Sequence, residues 1–180
     1  MNDKPVIGIV GSGNLSWHLC KWFTSAGLHV YVHSRNHAAV KEISTQCSIT
    51  EVHSIEELCY LSDLLFLCVQ DNAIGDIAEK VSGDPVLLHC SGAVSLNALD
   101  PFQGKKGVWY PLQSFVKYRT LDYAAIPVLI ESAEKETLSS LHDFTRILGN
   151  RYRELSSAKR LELHLAAVFA NNFTNYMLRK

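Results

Sequence analysis

The sequence predicts an α/β fold, a doubly wound and mostly parallel sheet followed by the start of an all-helical segment. Three observations carry that expectation. Short apolar runs alternate with longer stretches of helical period through the first half of the chain, as in a parallel sheet with crossover helices. A glycine-rich loop of Gly11, Ser12, Gly13, Asn14, Leu15 and Ser16 joins the first apolar run to the first helical stretch. From Ser156 onward the chain reads as one helix with almost no turn signal.

Residues 6–10 (VIGIV) form the first strand, 15–26 the first helix and 28–33 the second strand. A helix over 38–45 and a short strand over 48–52 follow. Ser54 and Glu57 then make a capping box, the Ser54 hydroxyl accepting from the Glu57 amide while the Glu57 carboxylate reaches back. Residues 64–69 (LLFLCV) lack any alternation, so this strand is buried on both faces. A helix over 74–81 leads to a strand over 85–90. Further on, 104–107 read as a basic turn, 108–110 and 126–130 as strands, and 134–148 as a helix stopped by Gly149. The predicted units are 1–155 and 156–180, the second read as the first helix of a helical domain that continues in a longer protein.

The composition narrows the function classes. With 180 residues, 47% of them hydrophobic and 19% charged, the chain can bury a core of ordinary size. A net charge of -1 offers no basic field for nucleic acid or anionic lipid. No apolar run approaches the ~20 residues of a membrane span. Cys20, Cys47, Cys59, Cys68 and Cys90 are scattered, without metal-ligand spacing, so neither a metal site nor a disulfide framework is expected, and a reducing, cytoplasmic setting is.

The loop carries the sharper signal. Placed between strand and helix, it is the phosphate cradle of a Rossmann unit: Gly11 permits the tight turn, and Gly13 lets backbone approach a pyrophosphate seated on the helix N-terminus. The third glycine of the usual pattern is replaced by Ser16. The second strand ends in Ser34 and Arg35, where an acid would bind the ribose of NAD and an arginine accommodates a 2′-phosphate. NADP is therefore the expected cofactor, the alternative being that Arg35 is only a solvated residue at the start of a helix. The ends of the fourth and fifth strands contribute Val69, Gln70, Asn72, Ser91 and Gly92 to the nicotinamide half of the cleft. His89 reads equally as a strand-end histidine bonded to backbone or as a chemical group.

Residues 109–115 (WYPLQSF) place Tyr110 and Gln113 against a small substrate or, equally, in ordinary packing. In the final helix, with His164 at zero, Arg160 falls at about -40°, Asn171 at about -20° and Asn175 at about +20°. The remainder is apolar nearly all round, so the helix is expected to be buried. Such a stripe either faces a cleft, with Arg160 and Asn175 binding substrate, or forms a seam between helices. In the cleft reading His164 or a water held by Ser91 supplies a proton, and Asn171 polarises the reacting atom.

In order along the chain, the Gly-x-Gly-Asn loop, Ser34 with Arg35, residues 89–92 (HCSG), residues 110–115 (YPLQSF) and Arg160 with residues 164–173 (HLAAVFANNF) resemble a family provisionally named NADP oxidoreductases. These are Rossmann-like proteins with a helical C-terminal domain of unknown function, related to pyrroline-5-carboxylate reductase and more distantly to ketopantoate reductase and 6-phosphogluconate dehydrogenase. The resemblance implies an NADP-binding domain and a helical domain that dimerises and completes the cleft. Members often carry histidine where this chain has Tyr110. The expected activity is reduction of a small anionic carbonyl or imine compound, such as a 2-oxo acid or cyclic imine. The alternative is a regulatory protein that binds NADP(H) without turnover.

Overall fold

The computed structural model describes residues 4–178, with side chains through 171 and at 177. Eight strands form one sheet in the order β3-β2-β1-β4-β5-β6-β7-β8. They are β1 (Ile7–Val10), β2 (Val30–His33), β3 (Thr50–Glu51), β4 (Leu64–Leu67), β5 (Val86–His89), β6 (Lys106–Pro111), β7 (Val128–Glu131) and β8 (Tyr152–Glu154). Pairing is parallel except between β6 and β7. The interleaved helices are α1 (Asn14–Ser25), α2 (His37–Ser44), α3 (Ile55–Leu61), α4 (Ile74–Ala78), α5 (Lys135–Ile147) and α6 (Ser157–Leu178).

The absence of alternation in β4 has the expected cause. Phe66 joins a cluster with Ile9, Phe23, Trp109 and Phe144 on one face, while Leu65 and Leu67 join Leu58, Ile74 and Val108 on the other. Every side chain of such a strand leaves water, and apolar burial of this kind yields roughly 25 cal/mol per Å². One polar chain inside the core is matched link by link. The Trp109 indole donates to Thr145 Oγ1 at 2.9 Å, and that hydroxyl donates to the Leu141 carbonyl.

Several boundaries move. The capping box forms, with Glu57 N donating to Ser54 Oγ at 3.1 Å, but the Glu57 carboxylate accepts from His53 N, one residue before the cap. The helix expected over 74–81 ends at Ala78 and is preceded by a single 3-10 turn, Asp71–Ala73. β8 was not expected, because Tyr152, Arg153 and Glu154 carry no strand pattern; it exists by pairing with β7. α6 departs furthest from expectation. Leu161, Leu163, Leu165 and Val168 are exposed, and only one side of the helix meets the sheet domain. A helix that is apolar nearly all round needs partners on every side, and the described residues cover one side.

Candidate active site

Strand order reverses between β1 and β4, and in an open parallel sheet that switch point opens a crevice at the carboxyl ends of the strands. The Gly11 loop sits in it. Gly11 adopts φ +120°, and a Cβ there would lie 2.3 Å from the Cys68 carbonyl oxygen at the end of β4, so only glycine fits. Gly13 caps α1 without a side-chain hydrogen bond, and no acid occupies the first turn of that helix. The first-turn amides of α1 are therefore left to a ligand, with the positive end of the helix dipole behind them. A Cβ on Gly13 would meet nothing within 4 Å, so the space in front of those amides is open.

That space is a cleft of about 630 Å³, lined by Gly11, Ser12, Gly13, Asn14 and Leu15, by Ser34 and Arg35, and by Val69 and Gln70. Ser12 Oγ and Ser34 Oγ lie 2.9 Å apart, which ties the loop to the end of β2. Arg35 is exposed on the cleft, and among the described residues nothing pairs with its guanidinium. No acid follows β2. These residues fit a dinucleotide, with amides for a pyrophosphate and an uncommitted arginine fork for a 2′-phosphate. Asn72 is a correction. It lies in the 3-10 turn and does not line the cleft, while Ala73 beside it does.

Leu15 is shared with a second, smaller pocket of about 240 Å³, lined also by Asp71, Ser91, Gly92, Tyr110, Gln113 and His164. Here β5, β6 and α6 converge. Ser91 Oγ accepts from the amides of Ala93 and Val94, both at 3.1 Å, folding the chain after β5 into a turn that presents Gly92. A Cβ on Gly92 would fall 2.4 Å from His164 Nδ1 and 2.8 Å from Tyr110 Cζ, so the glycine is what lets those rings close over the turn. Tyr110 Oη and His164 Nδ1 are 2.8 Å apart, their rings edge to face. Burial pushes the Tyr110 phenol above its ordinary value, with Arg160 opposing the shift, so the hydroxyl stays protonated at neutral pH.

His89 resolves to structure. It is buried, its Nδ1 accepts from the Ser91 amide at 3.2 Å, and burial followed by the nearby Arg160 charge lowers its pKa to about 3. Arg160 is a second correction. Its side chain is 1% exposed and forms an ion pair with Glu131 of β7, while its other terminal nitrogen donates to the Val94 carbonyl and to Ser157 Oγ. It pins α6 to the sheet, its charge paired with Glu131. Asn171 donates to Ser114 Oγ at 3.3 Å, beside the pocket wall rather than in it. The side chain of Asn175 lies outside the described residues. Thus Arg160, His164 and Asn171 all turn toward the sheet domain, but only His164 reaches the pocket. Phe115 and Cys90 in the smaller pocket lie within the quoted motifs without having been given a role, Asp71 lies in the turn after β4, and Lys80 in the larger cleft carried no motif that would have singled it out.

Comparison with known proteins accords with this geometry. Residues 6–91 match the family described as NADP oxidoreductase, coenzyme F420-dependent. Residues 126–180 match a Domain of unknown function (DUF2520), which takes in β7, α5, β8 and α6. No curated protein matches the chain. Among solved structures, a Bacteroides fragilis protein provisionally described as an NADP oxidoreductase is 29% identical, with TM-score 0.87, over 97% of this chain and 69% of its own. A Thermotoga maritima protein is 22% identical, with TM-score 0.73, over 96% of this chain and 66% of its own. A reductive aminase from Aspergillus terreus, solved with NADPH and ethyl-5-oxohexanoate, is 16% identical, with TM-score 0.74, over 97% of this chain and 64% of its own. The chain thus spans about two thirds of the length of these proteins, and the last two likenesses speak to fold alone. No helix among the described residues is long and apolar enough to cross a membrane.

Proposed function

We propose that the chain binds NADP(H) in the larger cleft and reduces a small carbonyl or imine compound in the adjoining pocket. The observation that carries this reading is that Leu15 lines both spaces, with the Tyr110 and His164 pair lining the smaller one. Amides of the Gly11 loop and of the first turn of α1 hold the pyrophosphate, while Ser34 and Arg35 hold the 2′-phosphate. Bound NADPH would supply the hydride. Tyr110 holds a proton on Oη, kept there by burial, and His164 orients the hydroxyl through Nδ1. Gln113 and the turn at Ser91 and Gly92 position the substrate.

A regulatory protein without turnover would share the loop and Arg35. It has no need for the pair at the pocket wall, whose place beside Gly92 favours turnover. The test is NADPH oxidation, followed at the nicotinamide absorbance, against cyclic imines, 2-oxo acids and the deazaflavin coenzyme named in the family description. With a neutral carbonyl or imine substrate, Tyr110→Phe should lower kcat roughly a hundredfold or more, the range of a general acid, with NADPH affinity kept. Full activity in that variant would remove Tyr110 as the proton source.

A further inference from the structure

The charges around the smaller pocket define what it can hold. Arg160, the cation that a carboxylate would need, is committed to Glu131 and the Val94 carbonyl. Among the described residues lining the pocket, Asp71 supplies the one carboxylate and there is no lysine or arginine, while Tyr110 and Cys90 are held neutral by burial. Asp71 opens the 3-10 turn after β4, is exposed, and has no hydrogen-bonding or ionic partner for its carboxylate among those residues. Phe115 and Tyr110 line the same space, and aromatic faces attract cations. An anion would meet the Asp71 carboxylate, whereas a cation completes it.

Resting on the reduction proposed above, we infer that the substrate is a small cation, a protonated imine or iminium compound whose positive nitrogen is held by Asp71. The chemistry balances without an added acid in the reductive step. The hydride pair forms the new C–H bond, the C=N π pair withdraws onto nitrogen, and a cation and NADPH become a neutral amine and NADP⁺. The amine then takes a proton from Tyr110 Oη, which recovers one from solvent. A neutral carbonyl lacks the charge that Asp71 selects.

The test is calorimetric titration of the chain saturated with NADP⁺, using three probes of one ring size: pyrrolidinium, cyclopentanol and cyclopentanecarboxylate. Pyrrolidinium should bind at least tenfold tighter than cyclopentanol, with the carboxylate weakest. Asp71→Asn should remove that preference while NADPH affinity stays within twofold, and Asp71→Lys should turn the preference toward the carboxylate. Equal binding of the three probes, or a preference that survives Asp71→Asn, would overturn the inference. So would an Asp71→Asn variant that loses NADP⁺ affinity in step with pyrrolidinium, since the carboxylate would then serve the nicotinamide. NADPH titration of the same samples separates the two readings. Absent NADPH binding overturns the cofactor reading and this inference with it, whereas NADPH binding without charge preference overturns this inference alone.

Discussion

His89 joins a buried position to an uncompensated demand for neutrality. Its pKa falls from the ordinary histidine value of 6.5 to about 3, through burial first and the Arg160 charge second. As pH falls from 6.5 toward 3, the unfolded chain binds a proton at this site that the folded chain refuses. Stability is therefore intact above 6.5 and is lost on acidification at up to about 1.4 kcal/mol per pH unit. His18, lowered in the same direction by burial, adds to the trend. Thermal midpoints measured at pH 7.5, 6.5 and 5.5 should decline, and His89→Gln should flatten the decline without abolishing it. An unchanged slope in that variant would contradict the account. The same residue shows what sequence leaves open. A histidine at a strand end reads as ligand, acid or staple until the Ser91 amide is found on its Nδ1.

Among the elements, α6 was legible as a helix and as a polar stripe, yet not in what the stripe does. The period places Arg160 near His164, but Glu131 lies 29 residues away, and only the antiparallel pairing of β7 with β6 brings that carboxylate under the helix. Breaking a buried ion pair from one side strands the other charge, at a cost of about 3–5 kcal/mol. Denaturant titration of Arg160→Met should show a loss of that order. Glu131→Gln added to it should recover part of the loss, since glutamine can still accept from Ser157. If Arg160→Met were neutral, the anchoring role would fail. Asp71 was hidden for a related reason. Residues 69–72 were expected at the cleft as a group, but a 3-10 turn divides them, giving Gln70 to the cofactor space and Asp71 to the smaller pocket, and leaving Asn72 out of both.

At the scale of the molecule, the sheet order β3-β2-β1-β4-β5 fixes where anything can bind. The alternation of strands and helices behind that order was readable, because the early strands fall in short apolar runs and the crossovers in recognisable helices. β8 was not, since its partner rather than its composition makes it a strand. The switch point between β1 and β4 puts the Gly11 loop, Arg35 and the pocket of Tyr110 and His164 along one edge. The central claim is that this edge is an NADP(H) site specified by Arg35. It is tested most directly by the dissociation constants of NADPH and NADH for the native chain and for Arg35→Ala. A charge-assisted contact to the 2′-phosphate is worth about 1.5–3 kcal/mol, or roughly tenfold to a hundredfold in affinity. NADPH should bind the native chain tighter than NADH by that factor, and the variant should bind both alike. Equal affinity in the native chain, or a preference unaffected by Arg35→Ala, would contradict the account.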